Sequence, residues 1–346
     1  MTEQAFRIIH EPNLPAPILL FEPRGKCHAQ LFFFHGICEH GLRYTKLAKE
    51  LAKNGIRVII SDHQGHGLSH KDCQENVAQI AETFELSSAQ QKIQLGHTQR
   101  SLQWKISPDK VLETFSKISV THHLKDMKHL VETAFEKKYF DKKIPFYIAG
   151  QSMGGLLTTA LGKVLHETPF KAKAAILLSP AFAPQPSPNK LTNLAEQIFL
   201  KLSWRSHDEK SWLKKPFQKI SQKPLKVSTA WACKHISDID AEEKVFSDDF
   251  LIADSCTLNY LSSIEKLMFE THKNAFKYPL PIQIFYSKQD RIVNSKGTDT
   301  FLKNYLSTHD QASLQINRYD EIPAHDLLRS TPQNEIIQKI VDYTKA

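Results

Sequence analysis

Short apolar runs alternate with amphipathic stretches along most of the chain. The runs are Pro17–Phe21 (PILLF), Leu31–Phe34 (LFFF), Val58–Ile60 (VII), Phe146–Ala149 (FYIA) and Ala174–Leu178 (AAILL), followed by Ile282–Phe285 (IQIF) and Leu314–Ile316 (LQI). They are short, rich in β-branched and aromatic residues, and often end in Gly, Asp or Pro. Strands of a parallel sheet covered on both faces read this way. Between them, Tyr44, Leu47, Ala48 and Leu51 fall on one helical face that stops at Asn54-Gly55, a C-terminal cap signal. Leu124, Met127, Leu130, Val131 and Phe135 repeat the pattern, as do Ile336, Ile337, Ile340, Val341 and Tyr343 near the end. This alternation predicts an α/β fold: a mostly parallel central sheet with helices on both faces.

Two segments depart from the rhythm. Residues 183–278 open on Pro184-Gln185-Pro186-Ser187-Pro188, show no clear strand, and hold three of the four tryptophans (Trp204, Trp212, Trp231). Helical stripes there run through Leu191, Leu194, Ile198 and Leu202, then Leu258, Leu261, Ile264 and Met268. A helical subdomain is expected at 183–278, inserted between core segments 1–182 and 279–346. Residues 70–120 are polar and Gln-rich (Gln90, Gln91, Gln94, Gln99, Gln103) before a helix start at Ser107-Pro108-Asp109. They read as a surface excursion from the core.

Composition narrows the class. The 346 residues suffice for one large domain or a domain with a subdomain, and 41% hydrophobic with 24% charged residues is ordinary for a globular protein. No apolar run approaches the ~20 residues of a membrane span, and the first residues lack a signal layout. Cytoplasm is therefore expected. Five scattered cysteines without a C-x-x-C pattern argue against a disulfide framework or a zinc site. The net charge of +8 is spread rather than clustered. That favours a solvated surface over a nucleic-acid partner, and permits peripheral contact with an anionic membrane surface.

One turn carries chemistry. Gly150-Gln151-Ser152-Met153-Gly154-Gly155 separates a predicted strand from a predicted helix. G-x-S-x-G in that context is a nucleophile elbow, a tight turn that projects the serine hydroxyl beside the free N–H groups of a helix start. A serine nucleophile needs a base, and the base an orienting acid, in the chain order Ser, Asp or Glu, His. Asp290 follows the strand at Ile282 and is the expected acid. Only His309 and His325 lie beyond it; His325, in a loop after the last strand, is the expected base. The N–H groups of Ile37, in the loop after an early strand, and Met153 are the expected oxyanion donors. His35, His40, His63 and His66, with Glu39 and Asp62, match no zinc-ligand spacing and read as a loop network. No metal or cofactor is expected.

With these residues assembled, the chain resembles the monoacylglycerol lipase and lysophospholipase group of α/β hydrolases. The likeness rests on His35-Gly36-Ile37-Cys38-Glu39-His40-Gly41-Leu42-Arg43-Tyr44 (HGxxEHxxRY), Asp62–Ser69 (DxxGHGxS), the elbow at Gly150–Gly155 (GHSMGG), Asp290 with Ile292-Val293, Ala324-His325, and Ser247-Asp248-Asp249. Gln151 stands where that group usually has histidine, Cys38 where glycine is common, and Asp326 where glutamate is common. The resemblance implies a lid over Ser152 formed by 183–278. It also implies hydrolysis of a single-chain lipid ester through an acyl-enzyme by Ser152, Asp290 and His325. The same machinery would serve an esterase for small non-lipid esters or a cap-bearing aminopeptidase, and a non-catalytic lipid-binding protein could use the same scaffold.

Overall fold

The computed structural model describes residues 6–81, 107–185, 226–228, 235–249, 251–253 and 255–346. In chain order the strands are β1 (Arg7–Ile9), β2 (Ile18–Phe21), β3 (Ala29–Phe34), β4 (Ile56–Ser61), β5 (Phe146–Gln151), β6 (Ala175–Leu178), β7 (Lys226–Ser228), β8 (Ser255–Thr257), β9 (Ile282–Tyr286) and β10 (Leu314–Arg318). The helices are α1 (Thr45–Lys53), α2 (Lys71–Gln74), α3 (Pro108–Lys117), α4 (Val120–Glu136), α5 (Met153–His166), α6 (Asp240–Asp248), α7 (Leu258–Asn274), α8 (Ser295–Leu306) and α9 (Gln333–Lys345).

Eight strands form one sheet in the order β1-β2-β4-β3-β5-β6-β9-β10. From β4 to β10 every pairing is parallel, while β2 pairs antiparallel with both β1 and β4. The α/β architecture expected from the alternating pattern, with a mostly parallel sheet, is therefore present. Side chains along each strand alternate between two cores. Phe32 and Phe34 of β3 pack with α4, α5, α7 and α8; Leu31 and Phe33 pack with α1 and α9. Because both faces are covered, the strand runs read as continuous apolar sequence.

Four expectations need correction. Pro17–Phe21 is not a parallel strand: β2 is antiparallel, yet its residues enter both cores, so no polar alternation marked it. The insert is not strand-free, since β7 and β8 form a two-stranded antiparallel sheet. Its last helix, α7, belongs to the core layer: Tyr260, Ile264, Leu267 and Met268 pack there against α4, α5 and α8. The ends of the 70–120 excursion also turn inward, burying Cys73, Val77 and Ile80 in one core and Val111 and Phe115 in the other. The Gln-rich stretch at 90–103, the stripe Leu191–Leu202 and the three insert tryptophans lie outside the described residues.

All parallel strands run the same way, so the loops after β3, β5, β9 and β10 gather at one edge of the sheet. Ligand sites of open α/β sheets form at that carboxyl edge.

Candidate active site

Ser152 lies between the last residue of β5 and the first of α5, at φ 54° and ψ −119°. A serine does not adopt this conformation without support from its surroundings. Its N–H donates to the Leu178 carbonyl at 2.9 Å, and its carbonyl accepts from Leu156 at 3.1 Å and Ala181 at 3.0 Å. Both peptide groups are thus used, and the turn is locked. The flanking glycines are steric necessities. A Cβ at Gly150 would overlap the Gly154 carbonyl, and one at Gly154 would overlap the Phe34 carbonyl at the end of β3.

His325 and Asp290 meet as the chain order requires. His325 Nδ1 lies 2.7 Å from Asp290 Oδ2, with both side chains buried. The other carboxylate oxygen accepts the N–H groups of Ile292 (2.8 Å) and Val293 (3.0 Å), which hold the carboxylate in place. The pairing makes Nδ1–H the donor and leaves Nε2 as the acceptor. Burial alone would lower the His325 pKa. The Asp290 carboxylate, with Asp326 and Glu39 nearby, outweighs it and holds the pKa above the ordinary 6.5. Gln151, next to the nucleophile, donates from Nε2 to the His325 carbonyl at 3.0 Å, so the serine and histidine segments adjoin. His309 is elsewhere, stacked on Tyr305 with ring centroids 4.1 Å apart.

The third segment is the loop after β3. A Cβ on Gly36 would lie 3.1 Å from that of Ser152, so this loop passes beside the nucleophile. Glu39 shapes it: Oε1 accepts the Gly36 N–H at 2.5 Å and the Tyr44 hydroxyl at 2.7 Å, and Oε2 accepts from Arg43 Nε at 3.2 Å. Cys38 takes a left-handed φ of 62° and offers its carbonyl to the Ala253 N–H at 2.9 Å. Ile37 is left with an N–H that meets no acceptor among the described residues. Met153 opens α5, so its N–H has no intrahelical acceptor. Among the described residues, neither expected oxyanion donor has a backbone acceptor.

Arg43 ties this loop to the others. Its guanidinium, fully buried, reaches Glu39, Asp249 at 3.5 Å and Asp326 at 3.8 Å, and lies 4.4 Å over the Phe246 ring. Burial would lower its pKa, but these three carboxylates raise it, so the charge persists. Asp326, beside His325, is pushed up to about 6 by burial and by Glu39. His40 Nε2 sits 2.8 Å from Asp249 Oδ2. The tail of the insert, the oxyanion loop and the histidine loop thus share one buried charge cluster.

The remaining histidines form a second group behind the site. Asp62 pins its loop by accepting the N–H groups of Gly41 (2.5 Å) and Leu68 (2.6 Å). His35, His63, His66 and His123 pack ring to ring, with centroids 4.4 Å (His35–His63) to 6.0 Å (His63–His66) apart. Tyr260 of α7 donates its hydroxyl proton to Met153 Sδ at 3.1 Å and lies 2.6 Å from His123 Nε2, which makes that nitrogen the donor. Burial drives the pKa of all four histidines well below 6.5. Among the described residues no set of three His, Cys, Asp or Glu side chains is arranged to hold a metal ion, and no helix is long and apolar enough to cross a membrane. The contacts of Gln151, Tyr260 and the Arg43 cluster were not foreseen. Only Arg43 left a trace, as the i+4 neighbour of Glu39 in an apolar setting.

Comparison with known proteins gives the family and the fold. The model of the serine aminopeptidase S33 family matches residues 25–97 and 117–329. Protein K6 of vaccinia virus is 36% identical over 58 residues, 17% of this chain and 72% of the viral protein. The fold resembles a monoacylglycerol lipase of Paleococcus ferrophilus (TM-score 0.64, 18% identity, covering 94% of this chain and 97% of that one). It also resembles a soluble variant of monoglyceride lipase from Saccharomyces cerevisiae, solved with a substrate analog (TM-score 0.67, 16% identity, covering 98% and 94%). With the family match spanning most of the sequence, the chain belongs to the serine aminopeptidase S33 family and has the α/β-hydrolase fold.

Proposed function

We propose that the protein is a serine hydrolase that cleaves carboxylic esters of single-chain lipids, monoacylglycerols or lysophospholipids, through an acyl-enzyme. The observation that carries the reading is the buried His325–Asp290 pair at 2.7 Å, joined through Gln151 to the segment that holds Ser152 in a strained turn. In this mechanism His325 Nε2 takes the Ser152 proton as Oγ attacks the ester carbonyl, and Asp290 stabilises the imidazolium. The oxyanion is bound by the N–H groups of Ile37 and Met153. His325 returns the proton to the departing alcohol, then activates the water that releases the fatty acid. Loss of one oxyanion donor typically costs ~10²–10³ in rate.

The lipid substrate is supported by the sequence resemblance and by the fold shared with two lipases. The family name keeps aminoacyl amides in view. The test is hydrolysis of monoacylglycerols, lysophospholipids, short and long p-nitrophenyl esters and aminoacyl anilides by purified protein. Long-chain monoesters are expected to turn over fastest, and Ser152→Ala to abolish turnover. Cleavage that survives Ser152→Ala defeats the nucleophile assignment; a preference for anilides or short esters defeats the lipid assignment. A protein that resists a fluorophosphonate probe at Ser152 is a binding protein on a hydrolase scaffold.

A further inference from the structure

A catalytic histidine must be held in place as well as oriented. Asp290 orients the His325 ring through Nδ1. The ring's position depends on the main chain, and His325 lies in the irregular connection between β10, which ends at Arg318, and α9, which begins at Gln333. Both of its peptide groups are engaged there. Its N–H donates to the His235 carbonyl at 3.3 Å, on the insert side, and its carbonyl accepts Gln151 Nε2 at 3.0 Å, on the sheet side.

Gln151 is unusual for what it leaves undone. It is 1% exposed, and its Oε1 is buried without a hydrogen-bond partner. A buried amide oxygen with no donor is a cost that an apolar side chain of the same shape would avoid. Packing alone therefore gives no reason for glutamine. The amide's one satisfied function is the bond to His325. An imidazole at this position could donate the same bond but would titrate beside the catalytic base, whereas a carboxamide donates at every pH.

We propose that Gln151 is a positioning residue for the catalytic base, tying the strand that carries Ser152 to the main chain of His325. The proposal rests on the hydrolase reading of Ser152, Asp290 and His325. The charged groups facing His325 are Asp290, Asp326 and Glu39. Removing a neutral amide leaves that balance in place.

Gln151→Met tests this, because it keeps length and volume, removes the donor and also removes the unsatisfied oxygen. Active sites are titrated with a fluorophosphonate. The labelling rate constant, kcat and KM for a p-nitrophenyl ester, the pH profile and the melting temperature are then measured for native protein, Gln151→Met and Gln151→His. Gln151→Met is expected to label and turn over tenfold to a hundredfold more slowly per titrated site, as a small misplacement of a catalytic group does. Its KM should stay within threefold, its acid limb should not move and its melting temperature should not fall. Gln151→His, which restores a donor, should recover to within threefold of native at pH 8. A Gln151→Met protein with native rates per site, or a Gln151→His protein no faster than Gln151→Met, overturns the proposal. Should the methionine variant fail to fold, Gln151→Asn, one methylene short of His325, gives the same reading. Native protein that fails to label defeats the hydrolase reading itself, a separate outcome.

Discussion

At the scale of single residues, the charge on His325 controls the chemistry. Its pKa is held above 6.5 against the opposing effect of burial, chiefly by Asp290. Because the base must be neutral to accept the Ser152 proton, activity should fall as pH drops through that raised pKa, with the acid limb above 6.5. Asp290→Asn removes the largest raising influence. The limb should shift to lower pH while kcat falls by about four orders of magnitude, as loss of the orienting carboxylate does in a comparable triad; a pH–rate profile reads both. Ser152, Asp290 and His325 were legible as candidates because each follows a strand, in the order the proposed chemistry requires. The bond from Gln151 to His325 was not, because it spans 174 residues and leaves no local pattern.

At the scale of elements, three segments meet at Arg43, with Arg329 beside it bonded to Glu242 and to the Arg43 carbonyl. Arg43 in the loop after β3 faces Glu39, Asp249 and Asp326, from the oxyanion loop, the insert and the histidine loop. Arg43→Leu strands these carboxylates in a buried site and should cost about 3–5 kcal/mol, measured by urea unfolding at pH 8. Asp326 already titrates at about 6 with the arginine present. Without it the carboxylates protonate more readily, so the deficit should shrink at pH 5.5. Sequence reasoning found the loop but not the cluster, because Asp249 and Asp326 come from segments whose docking no periodicity encodes. The element types were clearer than their pairing. β2 enters both cores like its parallel neighbours, so only its hydrogen-bond partners reveal that it runs the other way.

At the scale of the whole molecule, the buried histidine group links stability to pH. His35, His63, His66 and His123 stay neutral when folded but take up protons near 6.5 when unfolded. The unfolded state therefore binds more protons below that value, and the stability these residues contribute is lost as pH falls below 6.5. Asp62, Asp126, Asp326 and His325, with raised values, act in the opposite direction, against six lowered histidines once His28 and His70 are included. Melting temperature should drop progressively from pH 7 to pH 5; a flat profile refutes the linkage. The order of the triad along the chain has a consequence during synthesis. The strand bearing Ser152 leaves the ribosome well before the segment bearing His325, by roughly 10–35 s at ordinary translation rates. Until β9 and β10 add to the sheet edge and the last loop reaches Gln151, the nascent chain carries a serine with no base. Under the proposed mechanism the hydroxyl becomes a nucleophile only after the segment bearing His325 has emerged and docked against Gln151.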